Sequence, residues 1–139
     1  QIVNTYDNTI LYTDFIVSSA IDILKKFPQF EAGLIYVSDH GESLGENNMY
    51  LHGFPYALAP KEQIEVPMLV WMNNTMKKWD YVDYACLKNQ AALKPFSNDN
   101  LFHSVVGLLE IDTKAYDKHY DIFNSCREKK LPFMERDKK

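Results

Sequence analysis

The stretch AGLIYVSDHG, residues 32–41, decides the fold because it joins an apolar run to a group of polar side chains. Its apolar part, residues 32–37, shows no alternation of polar and apolar residues. Such a run is typical of a strand buried on both faces, as in a parallel sheet covered by helices. Ligands of open α/β sheets bind beyond the carboxyl ends of the strands. The sequence therefore predicts an α/β fold with a functional site directly after Val37.

The segments around this stretch follow the order helix, strand, long loop, strand, helices, which is typical of layered α/β folds. Residues 1–5 are predicted to be extended, with Asp7 as a helix cap. Residues 38–60 have no clean period and predict a long loop, and loops beyond ~12–15 residues in compact domains are usually functional or disordered. The predicted elements are helix 9–26, strands 32–37 and 66–72, helices 80–93 and 100–109, and a short helix or turn at 116–126.

Composition and charge indicate one acidic globular unit. The chain has 139 residues, of which 46% are apolar, and this is enough for one core. A net charge of -4 lacks the basic footprint of nucleic-acid-binding proteins, so we expect no nucleic-acid partner. Positive charge is concentrated in residues 127–139, which are predicted to be a solvated tail. No run reaches the ~18–20 apolar residues of a membrane span.

Cys86 and Cys126 are the two cysteines of the chain. They lie too far apart for a zinc knuckle or a CxxC redox pair. They could pair with each other, stay free, or pair with cysteines outside this chain, and the residues alone leave these alternatives open.

The polar groups after Val37 have the chemistry of a metal site. Asp39 and His40 offer a carboxylate oxygen and an imidazole nitrogen, and both are good ligands for zinc. Gly41 lets the chain turn sharply and leaves room beside an ion. Zinc (Zn²⁺) at this place would polarise a phosphoryl oxygen and hold a deprotonated nucleophile. The tripeptide alone is a weak signal, and its position at a strand end strengthens it.

Further candidates follow in the loop. His52 is predicted to bind a phosphate oxygen or a second metal ion, and its alternative is a hydrogen-bonded structural histidine. Glu42 is expected to orient a ligand or contact a second ion, so it is counted with His52 as substrate-binding. Glu46 is predicted to be a loop carboxylate that bonds backbone amides.

Other polar residues are expected to have structural roles. His103 is predicted to be a satisfied core histidine because apolar neighbours surround it in sequence, and His119 is predicted to lie on the surface. Asp14 is assigned as a buried partner of a backbone group or a tyrosine.

The segment SDHGESLGENNMYLHGFPYALAPKEQIEVPMLVWM covers residues 38–72. It closely resembles the lipid A phosphoethanolamine transferases, the enzymes of colistin resistance within the alkaline phosphatase and sulfatase superfamily. The helix NTYDNTILYTDFIVSSAIDILKK (4–26) and the segments FSNDNLFHSVVGLLEI (96–111) and YDIFNSCR (120–127) are also similar to the family. The resemblance covers nearly all of the chain.

The resemblance implies specific roles. Asp39 and His40 match the pair that holds the catalytic zinc, and His52 matches the histidine of the YLHG motif at the phosphoethanolamine or second-metal site. The family's threonine nucleophile and glutamate zinc ligand have no counterpart in this chain. Residues 1–139 would be the C-terminal portion of an alkaline-phosphatase-like α/β/α sandwich with a mostly parallel central sheet. The first part of that domain and an N-terminal membrane domain would lie outside this chain.

The implied reaction moves phosphoethanolamine from phosphatidylethanolamine to lipid A or lipooligosaccharide through a covalent threonine intermediate. The implied location is the bacterial inner membrane, with the catalytic domain facing the periplasm. An oxidising compartment favours disulfides for Cys86 and Cys126. The 139-residue chain alone would lack half of the zinc ligands, so we expect it to be inactive and to bind zinc weakly.

Two alternatives remain open at this point. The chain could belong to another enzyme of the superfamily, a sulfatase or a phosphoglycerol transferase, since the motif SDHG by itself fits these too. It could also be a fragment that only binds metal and has no catalytic function.

Overall fold

The computed structural model describes residues 1–78 and 82–127. Two compact units, Gln1–Met76 and Lys77–Lys139, replace the single unit that the composition predicted. The first unit contains α1 (Ile2–Lys25), β1 (Gly33–Val37), β2 (Ser43–Leu44), β3 (Tyr50–Leu51), α2 (Lys61–Ile64) and β4 (Met68–Met72). The second contains α3 (Tyr84–Leu93), α4 (Asp99–Leu108) and a 3₁₀ turn at Asn124–Cys126.

Helix α1 begins seven residues earlier than predicted, at Ile2 rather than Thr9. The prediction of an extended start and of an Asp7 cap is therefore wrong, because Asp7 lies inside the helix. The side chains of Thr5 and Thr9 bond carbonyls of the preceding turn, at Gln1 and Tyr6, and do not cap a helix start. Asp14 is exposed, so its assignment as a buried partner is also wrong.

Strands β1 and β4 pair directly and antiparallel, with Gly33 opposite Met72 and Val37 opposite Met68. The sequence predicted a mostly parallel sheet, and this pair differs from that prediction. A continuous apolar run indicates burial on both faces, but it contains no information on strand direction. Both strands are shorter than predicted, by one residue for β1 and two for β4.

Asn73 stabilises the end of this strand pair. Its side chain, in a buried residue, donates to the Phe30 carbonyl at 2.8 Å and accepts from the backbone amides of Ala32 (3.3 Å) and Met76 (2.8 Å). These bonds satisfy the buried amide and connect the residues before β1 to those after β4. The polar loop begins at the opposite end of the pair, where Val37 lies beside Met68.

The second unit is organised around α3 and the last described turn. Asp83 caps α3 by accepting from the amides of Ala85 and Cys86, at 2.8 and 3.1 Å. The predicted start at Asp80 lies outside the described residues. A disulfide joins Cys86 to Cys126, which decides between the alternatives left open by the sequence. The predicted helix or turn at 116–126 consists of turns and the 3₁₀ turn.

A buried ion pair completes this unit. Arg127 Nη2 lies 2.8 Å from Asp121 Oδ2, and both side chains are fully buried. Tyr116 Oη donates to the same carboxylate oxygen at 2.8 Å. Arg127 was predicted to begin a solvated tail, and this prediction is wrong for that residue; residues 128–139 of the predicted tail lie outside the described residues.

Candidate metal centre

The loop after β1 is folded back against α2 by backbone bonds. Ser38 N donates to the Pro67 carbonyl at 3.2 Å, and Gly41 N donates to the Gln63 carbonyl at 2.9 Å. A β-carbon at position 41 would collide with the Glu62 carbonyl oxygen. Only glycine therefore allows this close approach, as the sequence predicted for a sharp turn beside the site. The approach fixes His40 at the end of the strand.

A short hairpin then returns the chain to His40. Strands β2 and β3 pair antiparallel, with Ser43 opposite Leu51. The next positions outward along this ladder are Glu42 and His52, so the register brings their side chains together. The sequence predicted residues 38–60 as a loop without elements, and the hairpin corrects that prediction. The buried Ser43 hydroxyl accepts from the Gln63 amide at 2.9 Å and so attaches the hairpin to α2.

His40, Glu42 and His52 form the candidate metal centre. One possible ligand atom of each residue lies within 4.8 Å of those of the other two. The two imidazole rings stack with their centroids 3.7 Å apart and their planes at 27°. Glu42 Oε1 lies 2.8 Å from His52 Nδ1. The cluster thus joins residues that the sequence separates by up to twelve positions.

The hydrogen bonds determine which ring nitrogens can bind an ion. His40 Nδ1 lies 3.0 Å from the Gly41 carbonyl oxygen, which can only accept, so Nδ1 is the protonated nitrogen. His52 Nδ1 faces an ionised carboxylate, which also only accepts, so it too is protonated. Both Nε2 atoms consequently keep a lone pair. Carboxylate and carbonyl partners on Nδ1 are the usual support of histidine ligands.

Glu42 supplies the observation that points to a bound cation. Its Oε2 is buried and has no hydrogen-bond partner among the described residues. A buried carboxylate oxygen without a partner is costly, and coordination of a cation would remove this cost. Two imidazole nitrogens and a carboxylate oxygen form a donor set that suits zinc. The residues present therefore fit a metal ion.

Asp39 lies beside this cluster rather than in it. Its side chain is 89% exposed, against 40% for His40, and its Oδ2 lies 3.7 Å from His40 Nε2. Its Oδ1 accepts from the His40 amide at 3.1 Å. The sequence predicted Asp39, His40 and His52 as the metal ligands. The structure brings His40 and His52 together with Glu42, which the sequence predicted to orient a ligand or contact a second ion.

Glu46 and His119 have the structural roles that the sequence predicted, whereas His103 is satisfied as predicted but is only half-buried and not in the core. Glu46 Oε2 accepts from the Leu44 amide at 2.7 Å, and such backbone bonds lower the pKa of this carboxyl. His103 Nδ1 accepts from the Asp117 amide at 2.9 Å, so this half-buried histidine is satisfied. His119 is exposed and contacts Asp117, and bonds from the His119 amide and ring lower the pKa of the Asp117 carboxyl. Within the described residues, every helix is too short or too polar to cross a membrane.

Comparison with known proteins identifies the family. The family model described as Sulfatase matches residues 1–111. Phosphoethanolamine transferase EptA of Escherichia coli strain K12 is 51% identical over 128 residues, which are 91% of this chain and 23% of the relative. Phosphatidylethanolamine transferase Mcr-2 of Escherichia coli is 53% identical over 79 residues, 56% of this chain and 15% of the relative. The chain thus spans under a quarter of the length of these curated relatives.

A solved structure extends the comparison to the fold. The soluble domain of lipooligosaccharide phosphoethanolamine transferase A from Neisseria meningitidis superposes with a TM-score of 0.87 at 43% sequence identity. The match covers 92% of this chain and 39% of that chain. The predicted α/β class of alkaline-phosphatase type is confirmed by this likeness together with the family match.

Proposed function

The chain belongs to the sulfatase family, and from this membership we propose that its protein is a zinc-dependent phosphoethanolamine transferase. The donor is phosphatidylethanolamine and the acceptor is a phosphate of lipid A or lipooligosaccharide. The relatives named for this transfer support the proposal, since they are about half identical over the matched residues. The observation that carries it is the cluster of His40, Glu42 and His52 beyond the carboxyl end of β1.

Each residue of the cluster has a task in this proposal. His40 Nε2 and Glu42 Oε2 would hold the metal ion, and His52 Nε2 would complete the group that binds it. Asp39 lies beside His40 and contributes its exposed carboxylate as a ligand when the ion is bound. The ion supplies a Lewis acid for a phosphoryl oxygen and favours a deprotonated nucleophile. His52 Nδ1–H bonds Glu42 and keeps the ring oriented toward the site.

The transfer proceeds by double displacement. A threonine hydroxyl oxygen outside this chain attacks phosphorus, the bond from phosphorus to the glycerol oxygen breaks, and diacylglycerol leaves with a proton. An oxygen of the lipid A phosphate then attacks the same phosphorus, the bond from phosphorus to the threonine oxygen breaks, and that oxygen takes up the proton that the acceptor phosphate loses. In both steps His52 Nε2 would help to hold the ion that polarises the phosphoryl oxygen on which negative charge develops.

The location and the domain organisation belong to the same proposal. Residues 1–139 are the C-terminal portion of a catalytic domain that faces the periplasm, attached to the inner membrane by an N-terminal membrane domain outside this chain. The disulfide Cys86–Cys126 supports an oxidising compartment, because such bonds are rare in the cytosol.

The test is complementation with the full-length protein and its variants. Expression in a bacterium with unmodified lipid A should add phosphoethanolamine to lipid A, detected by mass spectrometry, and should lower polymyxin susceptibility. His40→Ala should abolish the modification, and His119→Ala is the matched control, because His119 is exposed and its ring bonds Asp117 of the same turn. Modified lipid A from the His40→Ala protein would remove the catalytic proposal. Hydrolysis of an aryl sulfate without lipid modification would favour a sulfatase instead.

A further inference from the structure

Gln63 bonds both chain neighbours of Glu42, the carboxylate of the candidate metal centre. Its backbone carbonyl accepts from the Gly41 amide at 2.9 Å. Its side-chain amide donates to the Ser43 hydroxyl, also at 2.9 Å. Gly41 and Ser43 stand directly before and after Glu42 in the chain. A single residue of α2 therefore fixes the chain on either side of this carboxylate.

The bond between the Gln63 amide and the Ser43 hydroxyl is shielded from water. Gln63 is 5% exposed and Ser43 is 2% exposed, and additional chain around them would only add to this burial. The second polar atom of the amide, Oε1, is buried and has no hydrogen-bond partner among the described residues. An apolar side chain would fill this space without burying such an atom. The bond to Ser43, rather than packing, therefore accounts for an amide at this position.

Gln63 can fix the loop because its own position is set by the helix. Its backbone amide donates to the Pro60 carbonyl at 3.0 Å, and the Glu65 amide donates to the Lys61 carbonyl at 2.7 Å. A β-carbon at position 41 would lie 3.4 Å from Gln63 Cα, so the loop lies directly on the helix backbone. The loop is thus attached to bonded backbone and not to a mobile side chain.

We propose that Gln63 is a positioning residue of the metal centre, which acts through Ser43 to hold Glu42 in place for metal binding. The inference rests on the proposed function, of which the bound ion is a part. Glu42 Oε1 bonds His52 and its Oε2 remains for the ion, so a shift of Ser43 would move both oxygens relative to the imidazoles. The groups that orient metal ligands contribute to metal affinity although they do not contact the ion.

The test is a double-mutant cycle on zinc affinity in the full-length protein. Gln63→Leu loses the bond to Ser43, while the backbone carbonyl remains available to Gly41. Zinc affinity, measured by competition with a chromogenic chelator below the unfolding temperature, should fall about tenfold, the lower end of the range for altered supports of ligands. In the Glu42→Ala background the same substitution should leave zinc affinity unchanged, because the carboxylate that Gln63 positions is already removed.

Gln90→Leu is the matched control for losing an amide. Gln90 lies in α3 of the second unit, and its Oε1 is also buried with no hydrogen-bond partner among the described residues. It should leave zinc affinity at the wild-type value. The visible absorption of Co²⁺ bound in place of zinc gives a second readout, because it depends on the geometry of the ligands. This spectrum should change in Gln63→Leu and stay as in wild type in Gln90→Leu.

Ser43→Ala tests the same bond from its other side. It removes the acceptor with a smaller change of side chain, so it decides the inference if Gln63→Leu does not fold. We expect it to lower zinc affinity by about the same factor as Gln63→Leu. The two substitutions together should cost no more than either alone, since both remove one hydrogen bond.

Three results would overturn the inference. The first is wild-type zinc affinity in Gln63→Leu and Ser43→Ala; with a lower melting temperature, it would make Gln63 a packing residue. The second is an equal loss of affinity with and without the Glu42 carboxylate. The third is a wild-type protein that binds no zinc, which would remove the metal centre as well. If wild type binds zinc but does not modify lipid A, the proposed function is wrong, and the cycle on zinc affinity still decides the inference.

Discussion

His52 Nδ1 lies 2.8 Å from Glu42 Oε1, although ten positions of the chain separate these residues. The pairing of Ser43 with Leu51 in the hairpin brings them together, and Glu42 Oε2 is left buried for another partner. The hydrogen bond also selects the tautomer in which His52 Nε2 can bind an ion. One contact thus sets the protonation of the histidine and the position of the carboxylate.

Loss of either partner should weaken metal binding. His52→Ala removes one candidate ligand, and Glu42→Gln keeps the size of the side chain but removes its charge. We expect each to lower zinc affinity by at least about 10–100-fold, the range found when the hydrogen-bonded supports of ligands are changed. Competition with a chromogenic chelator in the full-length protein measures this. His119→Ala should leave the affinity at the wild-type value, and wild-type affinity for both site variants would contradict the assignment.

Gly41 should tolerate no side chain. In Gly41→Ala the new methyl group would collide with the Glu62 carbonyl oxygen, a backbone atom that cannot rotate away. Such overpacking costs about 1–3 kcal/mol and would displace His40. We expect a lower melting temperature and weaker zinc binding. Gly33→Ala is the control, because its methyl group would press on the flexible end of Met76 and meet the Trp71 carbonyl oxygen at 3.4 Å, an ordinary contact distance. Equal effects of the two substitutions would contradict the steric argument.

Glu46 should stabilise the hairpin only where its carboxyl is ionised. Bonds from backbone amides, first that of Glu46 itself and then that of Leu44, hold the pKa of this carboxyl below its usual range. A lowered pKa in the folded state contributes stability above the ordinary pKa of the unfolded chain, and this is lost as the pH falls through the folded value. An NMR titration of the Glu46 carboxyl should show the lowered pKa. An ordinary pKa would refute the hydrogen bonds to this side chain.

The sequence predicted the position of the candidate site at the end of β1, but it did not predict the hairpin, the direction of β4 or the start of α1. The apolar run before Asp39 placed the strand end correctly, although the residues of β1 are half-buried or exposed and not buried on both faces as predicted. The hairpin escaped prediction because β2 and β3 have two residues each, too few for any period, so Glu42 could not be paired with His52 in advance. The direction of β4 relative to β1 also escaped it, because direction depends on the connection between strands. The start of α1 was placed late because Asp7 resembles a cap by residue type alone.

The disulfide should stabilise the second unit. It closes a loop between residues 40 positions apart and connects α3 to the Asn124–Cys126 turn. Closing such a loop contributes about 2–4 kcal/mol, mainly by restricting the unfolded chain. The double variant Cys86→Ser/Cys126→Ser leaves no lone thiol, and we expect faster amide hydrogen exchange in α3. Reductant should reproduce this effect in wild type and change nothing in the double variant. Equal exchange in all samples would show that the bond contributes no stability.

The buried pair of Asp121 and Arg127 should be the most sensitive position of the second unit. Asp121→Ala removes the carboxylate that faces a buried guanidinium and accepts from Tyr116, and breaking a buried pair in this way costs about 3–5 kcal/mol. Gly107→Ala should also destabilise, because its methyl group would collide with the Asp121 carboxylate. Asp117→Ala, at an exposed carboxylate, is the control for thermal unfolding. Asp121→Ala would leave the buried Arg127 guanidinium without its partner, and a buried unpaired charge is costly. Asp117→Ala leaves no buried charge unpaired, so equal melting temperatures of the two variants would contradict the prediction.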